Sequence, residues 1–156
     1  MSHRWAPVLA ALSEAQRVLL VGHVNPDADA LGSALATGMA LHTLGRDVQV
    51  TFPDEPFEVP AGLRFLPGQD LLVAPESVTA PDVVISMDAS SGDRIGRLLP
   101  IGQAAQTFIA VDHHASFVPF AGINVADADV PATGILALEL IDELGVDLTA
   151  DIAACL

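Results

Sequence analysis

The stretch VGHVNPDADALGS, residues 21–33, places His23, Asp27 and Asp29 within seven residues, directly after an apolar run. Two later stretches repeat the arrangement. VVISMDASSGD puts Asp88 at the end of an apolar run, and FIAVDHHAS puts Asp112, His113 and His114 at the end of another. Burying ionisable groups is costly unless they are paired or bound to a metal. Four carboxylates gathered in one crevice repel one another, and without counter-charge several must take up protons. A pair of divalent cations supplies that charge. The mixture of carboxylate oxygens and imidazole nitrogens suits manganese best, with magnesium, iron or cobalt as substitutes. Two such ions clamp a phosphate and activate a water for attack, so these residue types predict hydrolysis of a phosphoester or phosphoanhydride.

Each residue alone also has a plainer reading. Asp29 reads as a helix N-cap, Asp27 as a turn residue after Pro26, and Asp88 as the first residue of a turn. Arg94 follows Asp88 closely enough to reach a phosphate, but reads first as a surface arginine opening a short helix. Their joint occurrence at the ends of three apolar runs favours the metal site. His3 and His42 lie outside any such constellation and receive no role.

For these residues to meet, the apolar runs must be strands of one parallel sheet, because ligands collect beyond the carboxyl ends of such strands. RVLLVGH (17–23), RDVQVTF (46–52), PDVVISMD (81–88), QTFIAVDHH (106–114) and AGINV (121–125) are short and apolar enough for this. Helical spacing appears between them. Residues 4–16 carry Trp5, Val8, Leu9 and Leu12 on one face; residues 29–45 form a helix capped by Asp27 or Asp29 and stopped at Gly45. A short helix is expected near DRIGRLL, a longer one over ATGILALELIDELG (132–145), and a helix start at Thr149. The Pro- and acid-rich segment from Pro53 to Pro60 reads as surface connection. The order strand, helix, strand predicts an α/β fold with a mostly parallel sheet flanked by helices. No G-x-G-x-x-G follows the first strand, which counts against a dinucleotide fold of the usual type.

Composition narrows the function classes. With 156 residues and 51% hydrophobic content, one domain with a real core is expected. The formal charge is −14, and all six basic residues are arginines, so the chain lacks the footprint of a protein gripping long nucleic acid. An aromatic content of 4% argues against a stacking platform for long single strands, and Trp5, Met39 and the phenylalanines read as core. Cys155 cannot form an internal disulfide and reads as a small buried residue in a reducing compartment. Residues 1–17 lack the features of a signal peptide, and no apolar run reaches the ~18 residues of a membrane span. A cytoplasmic protein without membrane contact is expected.

GHVNPDADALGS, VVISMDASSGDRIG and FIAVDHHAS, in this order and spacing, resemble the first three motifs of the DHH phosphoesterase family. That manganese-dependent group includes RecJ-type nucleases, exopolyphosphatases, family II pyrophosphatases and oligoribonuclease/pAp phosphatases. The resemblance implies a Rossmann-like three-layer fold. It also implies His23 and Asp27 as ligands of one metal, Asp29 and His113 as ligands of the other, and Asp88 as the bridging carboxylate. By the same likeness, Asp112 orients His113 from behind and His114 faces the substrate phosphate, which it hydrogen-bonds or whose leaving group it protonates.

Ala28 and Ala30 stand where pyrophosphatase-like members carry hydroxyl residues. This form, with INVADADVPATGILALELIDELG, resembles the oligoribonuclease/pAp phosphatase branch, although most relatives have glycine at the place of Ala28. Short RNA, 3′-phosphoadenosine 5′-phosphate and linear or cyclic dinucleotides are the substrates so implied. A few-nucleotide substrate needs only a local positive site, which suits the acidic chain. A polyphosphate or pyrophosphate hydrolase uses the same ligands, and a non-catalytic nucleotide-binding module remains the reading from another class. Some relatives form dimers, which makes a homodimer an admissible assembly. The resemblance also implies that residues 1–156 are a partial N-terminal domain. A fourth motif and a C-terminal substrate-binding domain are expected beyond Leu156, with weak or no turnover from these residues alone.

Overall fold

Every strand of this chain is four to six residues long and built largely of β-branched and aliphatic side chains, a composition that fits burial on both faces. The computed structural model describes residues 3–156. Strands β1 (Arg17–Val21), β2 (Asp47–Thr51), β3 (Val83–Met87), β4 (Thr107–Asp112) and β5 (Ile123–Ala126) form a single sheet in the order β2-β1-β3-β4-β5. All pairings are parallel. The expected α/β fold is the observed one. Because β2 lies on one side of β1 and β3 on the other, the connections diverge between β1 and β3 and open a crevice above their carboxyl ends.

Alternate side chains of each strand serve two different cores. Val18 and Leu20 of β1, Val83, Ile85 and Met87 of β3, and Ile109 and Val111 of β4 pack with helices on one face. Those helices are α1 (Ala6–Glu14), α2 (Ala28–Thr43), α4 (Thr133–Glu143) and α5 (Ala150–Cys155). On the other face Leu19, Val21, Val84 and Phe108 meet Ile95 and Leu98 of a 3-10 segment, Gly92–Leu98, with α3 (Leu99–Ala104) continuing from it. This is a three-layer arrangement. The short helix expected near DRIGRLL is present as this 3-10 segment: Gly96, at φ +48°, interrupts it, and a regular α-helix starts at Leu99, with Pro100 in its first turn.

Two other expectations change on folding. The connection after β2 extends well past Pro60, with only short 3-10 turns at Ala61–Leu63, Gln69–Leu71 and Pro75–Ser77 before β3 begins. Prolines 53, 56, 60, 67, 75 and 81 deny it a continuous ladder. Phe65, in this connection, is 71% exposed rather than in the core, while Trp5 and Phe52 are fully buried. Cys155 is buried as expected, His3 and His42 are exposed, and no helix among the described residues is long and apolar enough to cross a membrane.

Candidate metal centre

β1 ends at Val21; the next residue, Gly22, still donates its amide to the Thr51 carbonyl across the sheet at 3.0 Å, and the chain then leaves the sheet at His23. The His23 ring is pinned by Nδ1, which lies 2.7 Å from the Val24 carbonyl. A carbonyl can only accept, so in the neutral ring Nδ1 carries the proton and Nε2 keeps its lone pair. Two residues after the turn at Asn25, Asp27 caps α2 by accepting the Ala30 amide at 2.9 Å. Asp27 is thus the N-cap. Asp29, the other candidate cap, sits in the first turn of α2 and turns its carboxylate to a different helix.

β3 delivers Asp88 one residue past its end, with φ at +65°. A non-glycine residue rarely takes this left-handed conformation; here the Asp88 amide is anchored to the Val111 carbonyl at 2.9 Å. The side chain is 3% exposed. β4 ends at Asp112, and the next two residues project their imidazoles beside Asp88, with the two rings 4.5 Å apart at 49°. Consecutive residues of a strand point oppositely, so His113 and His114 can face one cluster only because the strand stops before them.

The three strand ends converge on Asp88. His23 Nε2 lies 3.6 Å from its Oδ2, His113 Nε2 3.6 Å from its Oδ1, and His114 Nδ1 3.7 Å from Oδ1. His23 Nε2 is also 3.7 Å from Asp27, and His113 Nε2 is 3.6 Å from Asp29 Oδ2. These separations exceed hydrogen-bond length. An ion bound about 2.1 Å from an imidazole nitrogen and a carboxylate oxygen, at octahedral to tetrahedral angles, holds them about 3.0–3.5 Å apart. The observed gaps are only slightly wider. Two overlapping groups, His23-Asp27-Asp88 and Asp88-His113-His114, each have potential ligand atoms within 4.8 Å of one another. With hard oxygens and borderline nitrogens as donors, the residues present fit divalent cations.

The electrostatics are those of an acidic cluster held in place. Burial pushes the Asp88 carboxyl up, but the neighbouring His23, the Thr133 hydroxyl and the His114 charge outweigh it and hold it below the ordinary carboxylate value. Asp29 behaves oppositely: burial and the charge on Asp88 push its carboxyl up, against the amides of Thr133 and Gly134. Asp88 lifts the His23 imidazole above its usual value, in spite of burial.

Asp112 differs in its partner from the sequence expectation. Its carboxylate takes His114 Nδ1 at 2.8 Å and the His114 amide at 3.0 Å, and His113 Nδ1 instead lies 3.4 Å from the Val130 carbonyl. Asp112 is fully buried at the strand end, and its side chain turns along the chain to the residue two positions on. This contact raises the His114 imidazole above its ordinary value.

Two residues gain a place that spacing alone did not give them. Thr133, buried at the start of α4, donates its hydroxyl to Asp88 Oδ1 at 2.7 Å. Arg94 is exposed, as read, but its backbone carbonyl accepts the Val24 amide at 2.8 Å and its Nη2 comes within 3.4 Å of His23 Nδ1. Arg94 therefore stands on the rim of the cluster. The ATG triplet at 132–134 is the only local sign of Thr133, a small-residue helix start.

The chain resembles known proteins in sequence and in fold. The chain is 32% identical over 139 residues to the bifunctional oligoribonuclease and PAP phosphatase NrnA of Thermus thermophilus, which covers 87% of the chain and 40% of that relative. It spans less than half of the relative's length. Among solved structures, an exopolyphosphatase-related protein of Bacteroides fragilis superposes with a TM-score of 0.88 at 24% identity, covering 99% of this chain and 48% of that one. RecJ of Thermus thermophilus in complex with manganese superposes with a TM-score of 0.56 at 22% identity, covering 96% of this chain and 22% of its own. At these identities the structural likeness is one of fold. The model of the DHH family N-terminal domain matches residues 17–156, from the first residue of β1 through every strand end that carries the cluster, and the chain belongs to the DHH family.

Proposed function

We propose that this domain is the metal-binding half of a phosphoesterase that hydrolyses short oligoribonucleotides and nucleoside 3′,5′-bisphosphates. The observation that carries the reading is the convergence of three strand ends on buried Asp88 at the crevice between β1 and β3. His23 and Asp27 would hold one divalent ion, Asp29 and His113 a second, and Asp88 both, with manganese the ion best matched to the donors. Bound there, the ions would supply positive charge for phosphate oxygens and acidify the attacking water.

The chain's own residues do the remainder. Asp112 keeps the proton on His114 Nδ1, which orients the ring and favours the imidazolium. In that form His114 donates to a phosphoryl oxygen or protonates the leaving oxygen. The Arg94 guanidinium, paired with no carboxylate among the described residues, meets a second phosphate oxygen from the rim. The named activities of the Thermus thermophilus relative support this substrate class, as does the net charge of −14, which disfavours a long strand more than a short one.

The test uses the longest natural form of the chain with adenosine 3′,5′-bisphosphate, a diribonucleotide and pyrophosphate, each with manganese. Release of phosphate from the first and mononucleotide from the second is expected, abolished by chelation and by Asp88→Ala. Turnover of pyrophosphate alone, or activity that survives exhaustive chelation, overturns the reading.

A further inference from the structure

The helix α4 begins without a cap of its own. Its N-cap position is Ala132, which has no side-chain acceptor, so the first amides of the helix need partners from elsewhere. Asp29, from the first turn of α2, supplies them. Its Oδ2 accepts the Thr133 amide at 2.9 Å and its Oδ1 the Gly134 amide at 2.8 Å. The same Thr133 directs its hydroxyl to Asp88 Oδ1 at 2.7 Å, a short bond of the kind made to a charged acceptor. One residue thus joins two carboxylates that arrive from different elements of the fold.

We propose that Thr133 is a positioning residue for the metal centre, setting the mutual orientation of Asp29 and Asp88 and so the affinity for divalent ions. The inference rests on the metal reading above and concerns this chain's own residues. The two α4 amides hold both Asp29 oxygens and the Thr133 hydroxyl holds Asp88 Oδ1, so both carboxylates are aimed before an ion arrives. Thr133 Oγ1 occupies one lone-pair direction of Asp88 Oδ1. Asp88 Oδ2, beside His23, is then not free to exchange roles with it by rotation. Partners of this kind contribute to affinity because they remove the reorganisation that binding would otherwise require.

Manganese titration calorimetry on the wild-type chain, Thr133→Val, Thr133→Ser and Asp88→Ala tests this without relying on turnover. Valine keeps the shape of threonine and removes the hydroxyl; serine keeps the hydroxyl and removes the methyl. The expected result is affinity about 10- to 100-fold weaker for Thr133→Val, near wild type for Thr133→Ser, and lost in Asp88→Ala. Circular dichroism below the unfolding transition establishes that each variant is folded. If the valine variant is not, Thr133→Ala removes the hydroxyl without placing a methyl against Asp88 and is read in the same way. Wild-type affinity in a folded hydroxyl-free variant, or a serine variant as weak as the valine one, overturns the inference while leaving the metal reading intact. No manganese binding by the wild type overturns the metal reading and this inference with it.

Discussion

Asp88 shows at the scale of one residue how the cluster is made. Its left-handed backbone turns a side chain that would otherwise continue the strand alternation into the crevice, and the hydrogen bond from its N–H to the Val111 carbonyl holds that turn against its intrinsic cost. Three imidazoles then approach a carboxylate that is 3% exposed. Asp112 does comparable work for His114. Its two oxygens meet two N–H groups of the same residue, and an asparagine offers only one acceptor for them, with its amide set against the other donor. Asp112→Asn is expected to lower kcat on a diribonucleotide about 10- to 100-fold while changing manganese affinity little. Steady-state kinetics beside calorimetry distinguishes this from Asp88→Ala, in which both fall.

At the scale of elements, the opposite end of the strands carries its own tie. Asp82, just before β3, accepts the amides of Arg17 at 2.8 Å and Gln16 at 3.0 Å, its own amide bonds to Arg17, and its carbonyl accepts Thr107 of β4 at 3.2 Å. The starts of β1, β3 and β4 are registered by this one residue. The backbone amides of Arg17 and Gln16 hold the Asp82 carboxyl below its usual range. A depressed folded-state value means that the tie contributes fully above the unfolded value near pH 4 and is lost as pH falls through the folded one. Asp82→Ala is expected to lower the urea midpoint at pH 7 and to flatten the acid limb of a stability profile. An unchanged acid limb in that variant is the contrary result. Helix packing has its own close contact: a Cβ at Gly32 of α2 would run into the backbone carbonyl of Cys155 in α5, so only glycine lets these helices approach as they do.

For the whole molecule, a net charge of −14 opposes compaction, and the four clustered carboxylates concentrate that repulsion at one edge. Ions that bind the folded form and not the unfolded chain stabilise it by mass action. Manganese at about 100 times its Kd is expected to raise the melting temperature by roughly 5–10 °C, from a gain of about 2.7 kcal/mol. Sodium chloride at equal ionic strength screens without occupying the cluster and is expected to raise it less. Differential scanning calorimetry of wild type and Asp88→Ala checks both, and the difference between the two salts is expected to vanish in the variant.

The sequence by itself determined the strands and most helices, because burial on both faces leaves uninterrupted apolar runs and burial on one leaves a helical stripe. It also placed His23, Asp27, Asp29, Asp88, Asp112, His113 and His114 at strand ends, since a run that stops in ionisable residues marks where the chain leaves the core. What it did not contain was the pairing among them. Asp27 rather than Asp29 caps α2, Asp112 serves His114 rather than His113, and Thr133 reaches Asp88 across 45 positions. Phe65 is exposed, and the long connection after β2 carries no strand or α-helix. These outcomes depend on where one element comes to rest against another. Local spacing records periodicity along the chain, whereas a hydrogen bond between α4 and the end of β3 exists only once the sheet has brought them together.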